Sequence, residues 1–98
     1  MAQIRDLDKT KEALKEINKD IKEVETLNAF LNEEKNNGYF DIAYQKHKVK
    51  IFANQVTNNA MNEFVHQYKE VIVKRVYNMA KENNIVLDEI EKQILGGN

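Results

Sequence analysis

A chain of 98 residues with a net charge of −1, 42% hydrophobic and 32% charged residues, is one domain at most. Its apolar residues fall into periodic stripes, not one continuous run, which excludes a disordered chain and a membrane span. Cysteine and serine are both absent, which removes disulfide frameworks, thiolate metal sites and the two commonest nucleophiles.

Asp6, Asp8, Glu12 and Glu16 interrupt the opening turns where a secretory leader would be apolar, so the expected address is cytoplasmic. The 13 Lys against 2 Arg, with 13 Asn and 9 Ile, form the bias that AT-rich coding produces and point to a low-GC bacterium or its phage. A domain this small buries only about 60–65% of the surface exposed by its unfolded chain, so a lone monomer is expected to be marginal.

The first element carries the clearest pattern. Leu7, Leu14, Ile21 and Asn28 recur every seven residues, with Thr10, Ile17, Val24 and Leu31 three residues behind each. Such a repeat builds a coiled-coil-like seam that packs on another helix. The helix is predicted from a cap at Asp6 or Asp8 to about Lys35. Asp8 with Lys11, Glu12 with Lys15 and Glu16 with Lys19 mark its solvated face. Asn28, polar in a seam position, reads as a device that selects one register and oligomer state. Lys35-Asn36-Asn37-Gly38 then stops the helix and turns the chain back.

The stretch from Tyr39 to Phe52 fits two periods. Phe40, Ile42 and Tyr44, then Val49 and Ile51, alternate as in a strand, whereas Phe40, Ala43, Tyr44, His47 and Ile51 share a helical face. The turn between the candidate strands, Gln45 to Lys48, holds no Gly, Asn, Asp or Pro, and on that ground the helical reading is taken. Beyond it, Phe52, Val56, Ala60, Phe64, Tyr68, Val71, Ile72 and Met79 trace a drifting helical stripe, with a kink expected near Asn58 and Asn59. Between Val71 and Ala80 the apolar residues spread over more than one face, which predicts burial on several sides. Asn83-Asn84 ends this helix, and Asp88 with Glu91 forms a capping box that opens a short last helix ending before Gly96-Gly97.

Chemistry-bearing motifs are sparse. Glu63 and His66 have the Glu-x-x-His spacing of di-metal helical bundles, but such a site needs two pairs and two further glutamates, so neither metal nor cofactor is expected. No glycine-rich loop is present to cradle phosphates, and no enzymatic activity is expected. Charge is uneven, with net −3 over residues 1–41, +5 over 42–81 and −3 over 82–98. The basic middle offers Tyr44, Lys46, His47, Lys48, Lys50, Tyr68 and Arg75 as contacts to phosphates and bases. Alternatively, the acidic first helix neutralises the basic second one across the hairpin. Asn54, Gln55, Asn58, Asn59 and Asn62 form a dense amide cluster whose ordinary place is the surface.

The sequence thus predicts a single all-α domain over 1–98, a long antiparallel helical hairpin with a short third helix. It is expected to form a homo-oligomer, a dimer, through a seam of Leu7, Leu14, Ile17, Ile21, Val24, Asn28, Leu31, Val71, Ile72, Val76 and Met79. The functional expectation is a non-enzymatic module that binds an unidentified protein partner and no membrane. Nucleic-acid or nucleotide binding through segment 42–81 is the alternative.

Overall fold

The computed structural model describes the backbone of residues 2–96 and the side chains from Lys9 onward, so the roles expected of the Asp6, Leu7 and Asp8 side chains and of Gly97 lie outside the described residues. In chain order come α1 (Ala2–Asn32), β1 (Tyr39–Tyr44), β2 (His47–Phe52), α2 (Gln55–Glu82) and α3 (Glu89–Leu95). None of the helices is long and apolar enough, among the described residues, to cross a membrane.

The fold is mostly helical but not all-α. Residues 39–52 form an antiparallel hairpin in which Tyr39 pairs with Phe52, Ile42 with Val49 and Tyr44 with His47. The helical reading of this stretch is therefore corrected, and with it the start of the helical stripe at Phe52, which lies in β2. Alternation of aromatic and β-branched residues prevails here, and Gln45 itself takes the positive φ of 54° that a glycine normally supplies in a two-residue loop. Gly38, at φ 107°, makes the turn into the hairpin. Helix α1 begins at Ala2, ahead of the expected caps, since neither Pro nor Gly precedes Asp6 to halt it. It stops at Asn32, and Lys35 folds its ammonium back onto the Phe30 carbonyl, which also accepts from Glu33 N–H, at 2.5 Å and onto the Glu33 carbonyl at 3.0 Å.

Helices α1 and α2 run antiparallel. Asn58 reaches the Lys35 carbonyl near one end, and Tyr68 and Arg75 meet Glu23 and Asp20 further along. Between them lies the core, in which Ile17, Ile21 and Val24 of α1 pack with Ile72, Val76 and Ala80 of α2. The seam read from the heptads is thus occupied within one chain. Leu14, about 60° around the helix from Ile17 at 100° per residue, stays 41% exposed.

The burial on several sides expected from Val71 to Ala80 is met in part, with Val73 and Tyr77 half-buried against the cluster and Val71 left open. Leu87 and Leu95 join the buried cluster, with Ile85 and Ile94 half-buried against it. Helix α3 is opened by the Asp88–Glu91 capping box and closed by Gly96 in the left-handed conformation. Asn28 donates its amide to the Ile94 carbonyl at 2.9 Å, so the polar seam residue ties α3 to α1.

The molecule is thin and elongated. Its radius of gyration is 17.2 Å, against about 13 Å for a compact domain of this length. Its extents are 56 × 34 × 15 Å, the last little more than the roughly 10–12 Å diameter of a single helix. One layer of helices therefore leaves much of its surface uncovered. Replacing Ile72 by Ala is expected to lower unfolding free energy by about 3 kcal/mol through lost burial and a cavity. Leu14→Ala should change it by less than about 0.5 kcal/mol. Urea titration followed by circular dichroism measures both.

Candidate functional site

Two surfaces stand out, an open stripe on α2 and the hairpin. At 100° per residue, Val71, Phe64, Arg75 and Tyr68 fall within an arc of about 60°, displaced from the buried line of Val65, Ile72, Val76 and Ala80. Phe64 and Val71 are each 62% exposed. The rings of Phe64 and Tyr68 stack with centroids 6.4 Å apart. The stripe predicted from Phe52 to Met79 divides, since Ile72 is core and Met79 half-buried, whereas Phe52, Val56, Phe64, Tyr68 and Val71 are left uncovered.

Beside this stripe lies the acidic flank of α1. Asp20 is 2% exposed, and its two oxygens accept from Arg75 Nε and Nη2, each at 2.9 Å. A bidentate, charge-assisted pair of this kind holds helix register as well as charge. Tyr68 donates its hydroxyl to Glu23 Oε1 at 2.7 Å. That hydrogen bond, with burial and the nearby Glu23 charge, raises the Tyr68 phenol above its usual 10.0, and the Asp20 carboxylate likewise raises the Arg75 guanidinium. Two members of the proposed phosphate set are therefore engaged by acids of the same chain.

The other five, Tyr44, Lys46, His47, Lys48 and Lys50, sit together on the hairpin and are exposed. The hairpin projects from the helices. Its root is fixed by Ala53 N–H donating to the Gly38 carbonyl at 2.9 Å, by the Phe30–Phe40 ring contact at 6.1 Å, and by Thr57 Oγ1 donating to the Phe52 carbonyl at 2.8 Å. Side chains opposite one another share a face, so Phe40, Ile51, Ile42, Val49, Tyr44 and His47 lie on one side. Tyr39, Phe52, Asp41, Lys50, Ala43 and Lys48 lie on the other. Only Phe40 and Ile51 of the first face are half-buried; Ile42, Val49 and Tyr44 are open.

His66 pairs with Glu70 at 3.5 Å, not with Glu63, and the described residues contain no cluster of three metal-ligating side chains. The amide cluster divides. Asn54 caps α2 in a reciprocal box with Thr57, a signal visible in the sequence as Asn-x-x-Thr ahead of the helix. Asn58 and Asn62, one turn apart, each hold a buried Oδ1 without a partner among the described residues. Of the residues in the predicted seam, Val71 lies on the open face, Met79 and Leu31 are half-buried, and Ile72 and Val76 are core. Sequence reasoning missed Asp20 and Glu23 as partners of Arg75 and Tyr68; uneven charge was the only signal for them.

Arg75→Ala leaves the Asp20 carboxylate enclosed without its two donors and should cost about 2 kcal/mol, less than a fully buried pair because Arg75 is half exposed. The Tyr68 bond stabilises fully below pH 10.0 and is lost as pH rises through the higher folded value. The stability difference between the wild type and Tyr68→Phe should accordingly shrink above that pH in denaturation curves. Comparison of the chain with protein-family models, with curated proteins and with solved structures found no match.

Proposed function

We propose that this chain is a non-enzymatic protein–protein interaction module, a small cytoplasmic regulator, adaptor or inhibitor that presents a helix face and a hairpin arm to a protein partner. The observation that carries this reading is the uncovered line of Phe64, Tyr68 and Val71 on a helix whose other side is core. Their spacing of i, i+4 and i+7 is the anchor pattern by which an amphipathic helix enters an apolar groove. An aligned apolar line differs from the scattered exposed residues of an ordinary surface. Arg75 and Tyr68, already held by Asp20 and Glu23, give the line a rigid polar edge that loses little entropy on docking.

The double substitution Phe64→Glu with Val71→Glu tests this. Both residues are mostly exposed, so the helical circular dichroism spectrum and melting temperature should stay near those of the wild type. Binding to a partner purified after capture on the wild-type chain should fall at least tenfold in calorimetry. Equal binding by the variant would remove the α2 face from the reading.

A second reading, nucleic-acid binding, is favoured by the grouping of Lys46, His47, Lys48 and Tyr44 at the tip of a projecting ribbon, with Lys50 behind. A two-stranded ribbon fits the major groove, and lysines meet phosphate. This reading predicts that a labelled duplex binds at low salt, weakens steeply toward physiological salt, and is released by changing Lys46, Lys48 and Lys50 to Glu. Anisotropy that stays flat at low salt would eliminate it.

A further inference from the structure

The hairpin has two edges, and they are unlike. Hydrogen-bonded rungs alternate along an antiparallel pair, and Ala53 N–H bonds the Gly38 carbonyl. The bonded rungs are therefore Phe40 with Ile51, Ile42 with Val49 and Tyr44 with His47. This leaves the N–H and C=O of Asp41 and Ala43 directed outward from β1, and those of Lys48 and Lys50 outward from β2. No described backbone group outside the hairpin bonds Asp41 or Ala43. Lysines at the outward positions of β2 guard that edge against further strands. The β1 edge carries one charge, Asp41, in six residues. An isolated two-stranded ribbon is at best marginally stable, and one more strand pairing relieves this.

We propose that a second copy of the chain pairs with the β1 edge, antiparallel about a two-fold axis, with Ile42 of each copy directly opposite the other. This deepens the reading of the protein as an interaction module, since it names what the hairpin arm binds. Three observations select the occupant and the register.

Sheet parity requires like faces to meet. Only registers that pair even-numbered with even-numbered residues bring the Phe40–Ile42–Tyr44 faces of both copies to one side. Among these, centring the axis on Asp41 would set the two carboxylates opposite each other, which like-charge repulsion disfavours. Centring it on Ile42 gives an aliphatic row of Val49, Ile42 and the second copy's Ile42 and Val49, flanked on each side by Phe40 opposite the second copy's Tyr44. The outward groups of Asp41 and Ala43 then bond those of Ala43 and Asp41 in the second copy.

Charge fits the same register. Within one chain Asp41 makes no ion pair among the described residues, because Lys50, opposite it, lies over the Tyr39 ring at 4.1 Å. In the dimer Asp41 stands next to the second copy's Ala43, whose small side chain lets Lys48 of that copy reach across to the carboxylate. The assembly closes at four strands, since both outer edges are the lysine-bearing β2 strands.

The native chain has no cysteine, which makes the axis directly testable. In a non-hydrogen-bonded antiparallel pair the two Cα atoms lie about 4.5 Å apart, within disulfide range. The Val49 positions of the two copies lie three strand spacings apart, roughly 14 Å. Light scattering of the wild type should return twice the 11.5 kDa of one chain. Mild oxidation should convert Ile42→Cys, but not Val49→Cys, to a covalent dimer. Ala43→Pro removes an outward N–H that the hairpin itself does not use, and should give a monomer with the helical circular dichroism spectrum retained. A wild-type chain that remains monomeric at high micromolar concentration overturns the proposal. So does a dimer in which Ile42→Cys fails to cross-link or cross-links no faster than Val49→Cys. In either case binding of a different protein through Phe64 and Val71 would still be intact, so the two readings fail separately.

Discussion

Everything else in this structure depends on a single one-sided contact, the face along which α1 and α2 lie together. Ile17, Ile21 and Val24 meet Ile72, Val76 and Ala80 there, with the Asp20–Arg75 pair at its border. Two helices in contact each bury one stripe and leave the rest of their circumference to water or to further elements. Leu87 in the connection before α3 and Leu95 at the end of α3 cover a second portion, and nothing described covers the line of Phe64 and Val71. A thickness of 15 Å is the direct consequence.

Charge acts on the same contact locally and not as an acidic helix against a basic one. Lys46, Lys48 and Lys50, which make the middle of the chain basic, lie on the hairpin, and what joins α1 to α2 is Arg75 on buried Asp20 and the Tyr68 hydroxyl on Glu23. A buried carboxylate is costly unless its oxygens are satisfied, so Asp20 favours the register that places Arg75 beside it over neighbouring alignments. Asn28 acts similarly for α3, since its amide donates to the Ile94 carbonyl in the last turn of that helix. Polar groups at the margins thus set the alignment of an apolar core too small to specify it alone.

The hairpin follows a different logic from the helices. It contributes nothing to the buried cluster and is attached through the Gly38–Ala53 hydrogen bond, the Phe30–Phe40 contact and the Asn54–Thr57 box that restarts helix. An element that projects without burying its apolar face is retained at a cost in solubility and folding. That cost is the physical reason to connect it with assembly. Its two edges differ, β2 bearing lysines at its outward positions and β1 nearly uncharged.

Much of the helical framework was legible in residue spacing, because its signals are local. The heptads marked the α1 face that packs, Asn36-Asn37-Gly38 the reversal, and Asp88 with Glu91 the start of α3. Residues 39–52 were misread because helix and strand periods coincide over so short a segment, and because Gln45 adopts a backbone angle its side chain does not advertise. Spacing identifies a stripe but cannot say what lies against it. Only the tertiary structure decided that the seam of α1 is filled by α2 of the same chain, that the stripe through Phe64 and Val71 is left open, and that Arg75 and Tyr68 face acids instead of solvent. These outcomes depend on which side of each helix the returning chain reaches, and that is set by contacts between residues as far as 66 positions apart, which no local pattern encodes.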